Sequence, residues 1–137
     1  MLISNPMPKV RILVVDDFQT VRKGVCAILS SREDIEVCAE AANGEEAVRM
    51  AKELRPDVVI MDFSMPGMDG LEASKRILRE FPGLPILMFS MHKMEALTQA
   101  AKNAGELGFV TKGESAQNLL QAVDSVLRKE PFFVLES

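Results

Sequence analysis

The chain has 137 residues, 47% of them hydrophobic and 26% charged, with 16 basic against 20 acidic side chains for a net charge of −4. That length supports one domain with a real core, and an acidic chain with no run of like charge is a poor ligand for nucleic acid. Two isolated cysteines, Cys26 and Cys38, make neither a disulfide framework nor a metal site and fit a reducing compartment.

Residues 1–8, with Pro6 and Pro8, form an N-terminal extension that reads as neither a signal peptide nor a membrane span. Val10 to Val15 is a β-branched, apolar run that predicts a first strand ending at the pair Asp16-Asp17. Phe18, Val21, Val25, Ile28 and Leu29 recur at helical spacing and predict a first helix closing near Ser30-Ser31. Ile35, Val37, Ala39 and Ala41 alternate with Glu36, Cys38 and Glu40, the pattern of a half-exposed strand at a sheet edge. Asn43-Gly-Glu-Glu46 resembles a capping box with Asn in place of Ser or Thr. A second helix follows with Ala47, Val48, Ala51 and Leu54 inward, and it stops before Pro56.

The third strand, Val58 to Met61, is apolar throughout, stops at Asp62 and is followed by a turn containing Pro66, Gly67 and Gly70. A short apolar run bounded by turn signals suits a strand buried on both faces. Taken alone, Asp62 reads as a turn former or helix cap. A third helix starts near Asp69-Gly70, carries Leu71, Ser74, Leu78 and Phe81 on one side and ends at Pro82-Gly83. Pro85 to Phe89 is a fourth strand ending at Ser90, and Met94, Leu97, Ala101 and Ala104 predict a fourth helix with Gly105 as its C-cap. Gly108 to Thr111 is a short fifth strand ending at Lys112. Ser115 can cap a fifth helix, where Leu119, Leu120, Val123, Val126 and Leu127 face inward. Pro131 halts that helix and leaves Phe132-Phe133-Val-Leu135 as an apolar tail, placed to pack back on the fifth helix or to await a partner.

Strict alternation of five strands and helices predicts an α/β fold with a parallel sheet covered by helices on both faces. Right-handed crossovers leave few topologies, and the pattern favours the flavodoxin-like (βα)5 three-layer order 2-1-3-4-5. That order brings Asp16, Asp17, Asp62, Ser90 and Lys112 to the carboxyl ends of strands around one switch point, where open α/β sheets place ligands. Each has a bland reading as a cap or a solvated side chain, but four strands ending this way converge on one edge. Three packed carboxylates repel unless a cation intervenes, and all-oxygen ligands point to Mg²⁺ rather than zinc. With Lys112 and Ser90 nearby to bind phosphate, one carboxylate can act as nucleophile on a phosphoryl group.

These pieces, Val-Val-Asp-Asp17, Met-Asp62-Phe-Ser-Met-Pro-Gly-Met-Asp-Gly70, Met-Phe-Ser90-Met-His and Gly-Phe109-Val-Thr-Lys112, resemble the receiver domain of two-component response regulators over residues 9–128. The resemblance implies a cytoplasmic switch. Asp62 would accept a phosphoryl group from a histidine kinase. Mg²⁺ (or Mn²⁺) would be held by Asp17, by Asp16 through a water, by Asp62 and by the Ser64 backbone carbonyl. Lys112 and Ser90 would bind the phosphoryl group. Phe109 would be the aromatic switch that remodels the face of the fourth helix, fifth strand and fifth helix, a face through which a homodimer can form.

The Ser90-Met91-His92 run further resembles the subclass that carries a C-terminal LuxR-type helix-turn-helix domain. Residues 129–137 then read as a tail or as the start of a linker to such a domain, since no recognition helix follows. Several positions depart from the family pattern. Gly113 follows Lys112 where proline is common, Glu106 stands where a small apolar residue is frequent, and Met91 is larger than usual. His92 reads as a rim residue. The methionines are mostly core fillers, with Met65, Met68 and Met91 placed to border the pocket.

Three rival readings are weaker. A haloacid-dehalogenase-type phosphatase needs Asp-x-Asp on the first strand, and here Phe18 is the second residue after Asp16. A scaffold that is never phosphorylated, acting only by protein contacts, usually lacks one of these site residues, and none is missing. A flavin-binding flavodoxin needs a Gly/Ser/Thr-rich phosphate loop after the first strand.

Overall fold

The computed structural model describes residues 8–91, 95–113 and 116–133. The elements are β1 (Val10–Val15), α1 (Gln19–Ser30), β2 (Ile35–Ala41), α2 (Gly44–Leu54), β3 (Val58–Asp62), α3 (Gly70–Glu80), β4 (Ile86–Ser90), α4 (Glu95–Asn103), β5 (Gly108–Thr111), α5 (Ala116–Leu127) and β6 (Phe132–Phe133). All strand pairs are parallel and the sheet order is β2-β1-β3-β4-β5-β6. The expected flavodoxin-like order 2-1-3-4-5 is therefore present, with β6 added on the outer side of β5.

Alternate residues of each central strand feed opposite faces of the sheet. Ile12, Val14, Val58, Ile60, Leu87 and Val110 meet Val25 and Leu29 of α1 and Leu119, Ala122, Val123 and Val126 of α5. On the other face, Leu13, Val15, Val59, Met61 and Ile86 meet Ala47 and Ala51 of α2 and Ala73 and Ile77 of α3. Further along that face, Met88 and Phe109 meet Ala101 of α4. Every residue of β3 and β4 is buried, which is why these two strands show no polar alternation.

β2 lies at the edge as its alternation predicts, but it does not keep one face inward. Its register against β1 skips Cys38, from Ile12↔Val37 to Leu13↔Ala39. The extra residue reverses the sense of every side chain after it. Ile35 and Val37 thus pack on the α1–α5 side, whereas Ala39 and Ala41 pack on the α2–α3 side.

Helix ends follow the sequence closely. Asn43 Oδ1 accepts from Glu46 N (2.8 Å), and the Glu46 carboxylate accepts from Ala42 N (3.1 Å), one residue earlier than in a standard capping box. Asp69 caps α3 by accepting from Glu72 N (2.8 Å). α4 closes on Gly105, with Gly105 N and Glu106 N donating to Lys102 O and Ala101 O.

Two helical faces differ from expectation. α3 buries Gly70, Ala73, Ser74 and Ile77, while Leu71, Leu78 and Phe81 are only half-buried. Gly70 lies against the end of β3, so the stripe that continues from it is the one that meets the sheet. Phe18 is 65% exposed, because it precedes the helix in extended backbone as the N-cap of α1 and escapes the helical period. His92, Met94, Ser115, residues 1–7 of the N-terminal extension and residues 134–137 of the tail lie outside the described residues.

Candidate functional site

The carboxyl ends of β1, β3, β4 and β5 meet at one point. Asp16 follows β1, Asp62 ends β3, Ser90 ends β4 and Lys112 follows β5; Asp62 and Ser90 are paired in register with Phe89 and Thr111, and Asp16 and Lys112 each come directly after a paired residue, Val15 and Thr111. Asp16, Asp62 and Ser90 are 1%, 2% and 6% exposed. Lys112 is anchored through its backbone N–H, which donates to Ser90 O at 2.7 Å. Its ammonium lies 2.8 Å from Asp16 Oδ2 and 3.0 Å from Asp62 Oδ1. The Phe89 ring stands 5.9 Å from the same ammonium, so the cation rests on an aromatic floor.

The loops are built to hold these groups still. Asp16 Oδ1 accepts from Phe18 N at 2.9 Å, and Arg22 Nη1 donates to Asp16 O at 2.7 Å, tying the β1–α1 turn to the first turn of α1. Arg22 is itself held by Glu40 at 2.9 Å. At the other side, Gly70 N donates to Phe63 O at 2.9 Å, and a Cβ at Gly70 would stand 2.0 Å from Asp62 O. Only glycine lets α3 start so close to the acid. Gly70 was legible in the sequence as a turn residue, but not as a clearance for Asp62.

The electrostatics are unbalanced. If all are ionised, three carboxylates and one ammonium leave 1 − 3 = −2. Oxygens of Asp16, Asp17 and Asp62 lie within 4.8 Å of one another. Asp17 Oδ1 and Asp62 Oδ2 are buried with no hydrogen-bond partner, and Asp16 Oδ2 meets Lys112 as an ion pair without hydrogen-bond geometry. Burial pushes the Asp62 carboxyl up to about 7; Lys112 opposes this rise, and the Asp16 charge adds to it. Burial alone would lower the Lys112 ammonium, but its ion pairs with Asp16 and Asp62 outweigh that and leave it above the usual lysine value. Orphaned buried oxygens around a residual double negative charge fit a small hard divalent cation. The donor set contains no sulfur or imidazole that would favour a softer metal.

A pocket of about 350 Å³ opens over Asp62 and Lys112, with Ser64, Ser90, Met91 and Phe18 at its walls. Ser64 is exposed, in the turn after β3. Phe18 and Met91, the two large apolar side chains most exposed among the described residues, flank the opening. Sequence reasoning placed Met91 at the rim but not Phe18, whose role only the N-cap geometry reveals. Met65 and Met68 pack instead into the α2–α3 core.

Phe109 is not in the pocket. It is buried on the α4 side of β5 with Met88 and Ala101, one layer from the acids. A second buried carboxylate, Glu106, sits at the opposite end of the sheet, just before β5. It accepts from Ser74 Oγ at 3.1 Å, and its other oxygen has no partner.

Comparison with known proteins bears on this arrangement. Residues 12–124 match the family model described as the response regulator receiver domain. The chain is 36% identical over 117 residues to the response regulator GacA of Pseudomonas aeruginosa, covering 85% of this chain and 55% of that protein. It is 38% identical over 122 residues to the transcriptional regulatory protein LiaR of Bacillus subtilis, covering 89% of this chain and 58% of that one. The chain thus spans little more than half the length of these relatives. A crystal structure of a LuxR-family two-component response regulator from Aurantimonas sp. SI85-9A1 superposes with a TM-score of 0.88 at 37% identity, covering 90% and 89% of the two chains.

Proposed function

The chain belongs to the response regulator receiver family, and from that premise we propose that it is a phosphorylation-driven switch with Asp62 as phosphoacceptor. The observation that carries the reading is the buried Asp62, with one oxygen on Lys112 and the other unpartnered beside Asp16 and Asp17. An Asp62 oxygen attacks the phosphorus of a phosphohistidine on a sensor histidine kinase. The new P–O bond forms as the P–N bond breaks, and the imidazole leaves with the bonding pair.

Asp17, Asp62, the Ser64 backbone carbonyl and Asp16, the last through water, would hold Mg²⁺ or Mn²⁺. When bound, the ion neutralises charge on the phosphoryl oxygens. Lys112 supplies a fixed positive charge to the phosphoryl group and favours the ionised, nucleophilic form of Asp62. Ser90 donates a hydroxyl hydrogen bond to the transferred group. Movement of Ser90 is coupled to rotation of Phe109 in the next layer, which remodels the α4–β5–α5 face as a two-state element. The protein acts on no other substrate; it catalyses only its own phosphotransfer and dephosphorylation.

The output is transcriptional control through a DNA-binding domain outside this chain, a reading supported by the LuxR-family neighbour. A homodimer through the α4–β5–α5 face is its most direct route. A receiver that acts alone through protein contacts is the rival reading. Among the described residues no helix is long and apolar enough to cross a membrane, which suits the cytoplasmic site of action proposed here.

Intact-protein mass after incubation with a small acyl phosphate tests the reading. The wild type should gain one phosphoryl group only with Mg²⁺, and Asp62→Ala should gain none. A Mg²⁺-independent gain, or a gain in the variant, would refute Asp62 as acceptor.

A further inference from the structure

β6 stands outside the five alternating units. It is a two-residue strand laid on the edge of β5, with Gly108↔Phe132 and Phe109↔Phe133 in register. The turn that brings it there is specific. α5 ends on Lys129 in the left-handed region (φ 62°), with Lys129 N and Glu130 N donating to Val126 O and Ser125 O at 3.0 and 2.9 Å. A non-glycine residue adopts that conformation at a cost, and here the Lys129 ammonium also donates to Gly83 O. Phe132 N then donates to Leu107 O at 2.8 Å. Close approach depends on Gly108, where a Cβ would stand 3.0 Å from Phe132 O.

The two rings of β6 go to opposite faces of the sheet. Phe132 joins the α1–α5 core beside Leu107 and Leu127. Phe133 joins Met88, Ala101 and Phe109 on the α4 face, and the Lys102 ammonium at the end of α4 lies 4.8 Å from its ring. Phe133 is therefore the neighbour of Phe109 on the same side of the sheet, and Phe109 is only 1% exposed.

We propose that the Phe132-Phe133 strand is a clamp in cis on the Phe109 ring: seated on β5, Phe133 fills the outer side of the α4–β5 cluster and holds that ring buried. The inference rests on the reading of Phe109 as a ring whose burial accompanies phosphorylation of Asp62. Two events that favour one ring position favour each other. Phosphorylation then tightens β6 on its edge, and seated β6 favours the phosphorylated chain. A strand of two residues opens at small free-energy cost, so a change in its docking is readable as amide exchange. The clamp also ties whatever follows residue 133 to the state of a pocket at the far side of β5.

The test follows exchange of the Phe132 amide in the whole chain, with phosphoryl occupancy read by intact mass in the same samples. With acyl phosphate and Mg²⁺, exchange at Phe132 should slow about 5-fold or more. Phe133→Ala should abolish that slowing and lower the phosphorylated fraction at steady state. Lys102→Ala, which touches the ring only from α4, should act in the same direction more weakly, and it carries the test if Phe133→Ala fails to fold. Full occupancy with unchanged or faster Phe132 exchange overturns the clamp and leaves the switch standing. A wild-type phosphorylated fraction in Phe133→Ala also overturns the clamp. No mass gain in any sample overturns the switch and the clamp with it.

Discussion

Asp62 and Glu106 are almost equally buried, 2% and 3% exposed, at opposite ends of the same parallel sheet. Burial pushes both carboxyls up, to about 7 and about 8. Their surroundings differ in kind. Asp62 faces the Lys112 ammonium and two further aspartates, whereas Glu106 has a single bond from the Ser74 hydroxyl. A buried carboxylate with only a hydroxyl for company is held neutral and serves as a polar peg between α3 and the start of β5. One with a cation beside it, and room for another, can be ionised and react. Depth of burial is shared by the two acids, and the neighbouring positive charge is what separates a reactive acid from a structural one.

The largest effect that sharpens this comparison is on Glu106. Its folded pKa lies near 8 against an ordinary value of 4.5. The folded chain therefore keeps a proton that the unfolded chain has lost between those values, and stability falls as pH rises through that window. Glu106→Gln should flatten the slope and be the more stable protein near pH 9 by several kcal/mol, each pKa unit corresponding to about 1.4 kcal/mol. Urea unfolding near pH 5 and near pH 9 measures it; an unchanged slope would mean that Glu106 is charged and paired in solution.

Next in size is removal of the cation that distinguishes the other acid. Lys112→Ala leaves Asp16 and Asp62 facing each other uncompensated, and stripping one partner from a buried ion pair costs about 3 kcal/mol. That loss should appear in denaturant melts near pH 8 and be partly recovered on adding Mg²⁺. A variant as stable as the wild type would show that the acids are protonated there already.

Mg²⁺ itself should raise the wild-type unfolding free energy by about 2.7 kcal/mol at a hundred times its dissociation constant, by mass action. Asp17→Ala should lose that increment while costing little stability without metal, because it removes a like charge from beside Asp16 and Asp62. Calorimetric scans with and without Mg²⁺ would decide it. Smallest is Ser74→Ala, which removes the hydrogen bond that the neutral Glu106 carboxyl accepts from the Ser74 hydroxyl and should cost about 1 kcal/mol.

Much of this was legible in the order of residues. Apolar runs stopping at Asp16-Asp17, Asp62, Ser90 and Lys112 mark strand ends, and in a parallel sheet all carboxyl ends share one edge. Local chemistry likewise placed the Asn43 cap, the helix start near Asp69-Gly70 and the Gly105 helix end, because such signals depend only on residues three or four apart.

What stayed hidden depends on contacts between distant segments. Alternation in β2 cannot reveal the skipped Cys38, since only pairing with β1 shows which residue has no partner. Periodicity counted Phe18 inward, although a residue before the first turn is not bound by the helical period. Phe132-Phe133 read as an apolar tail, and only the free edge of β5 and the left-handed turn at Lys129 make it a strand.

The sequence by itself determined the alternation of elements, the sheet order and the identity of the acids and the lysine, because these follow from local pattern and the handedness of crossovers. Tertiary structure alone decided that Lys112 spans Asp16 and Asp62, that Gly70 must clear the Asp62 carbonyl, and that Glu106 finds Ser74 thirty-two residues away. Those are distances between separate elements, and such distances are set only when the packed core fixes how the helices sit on the sheet.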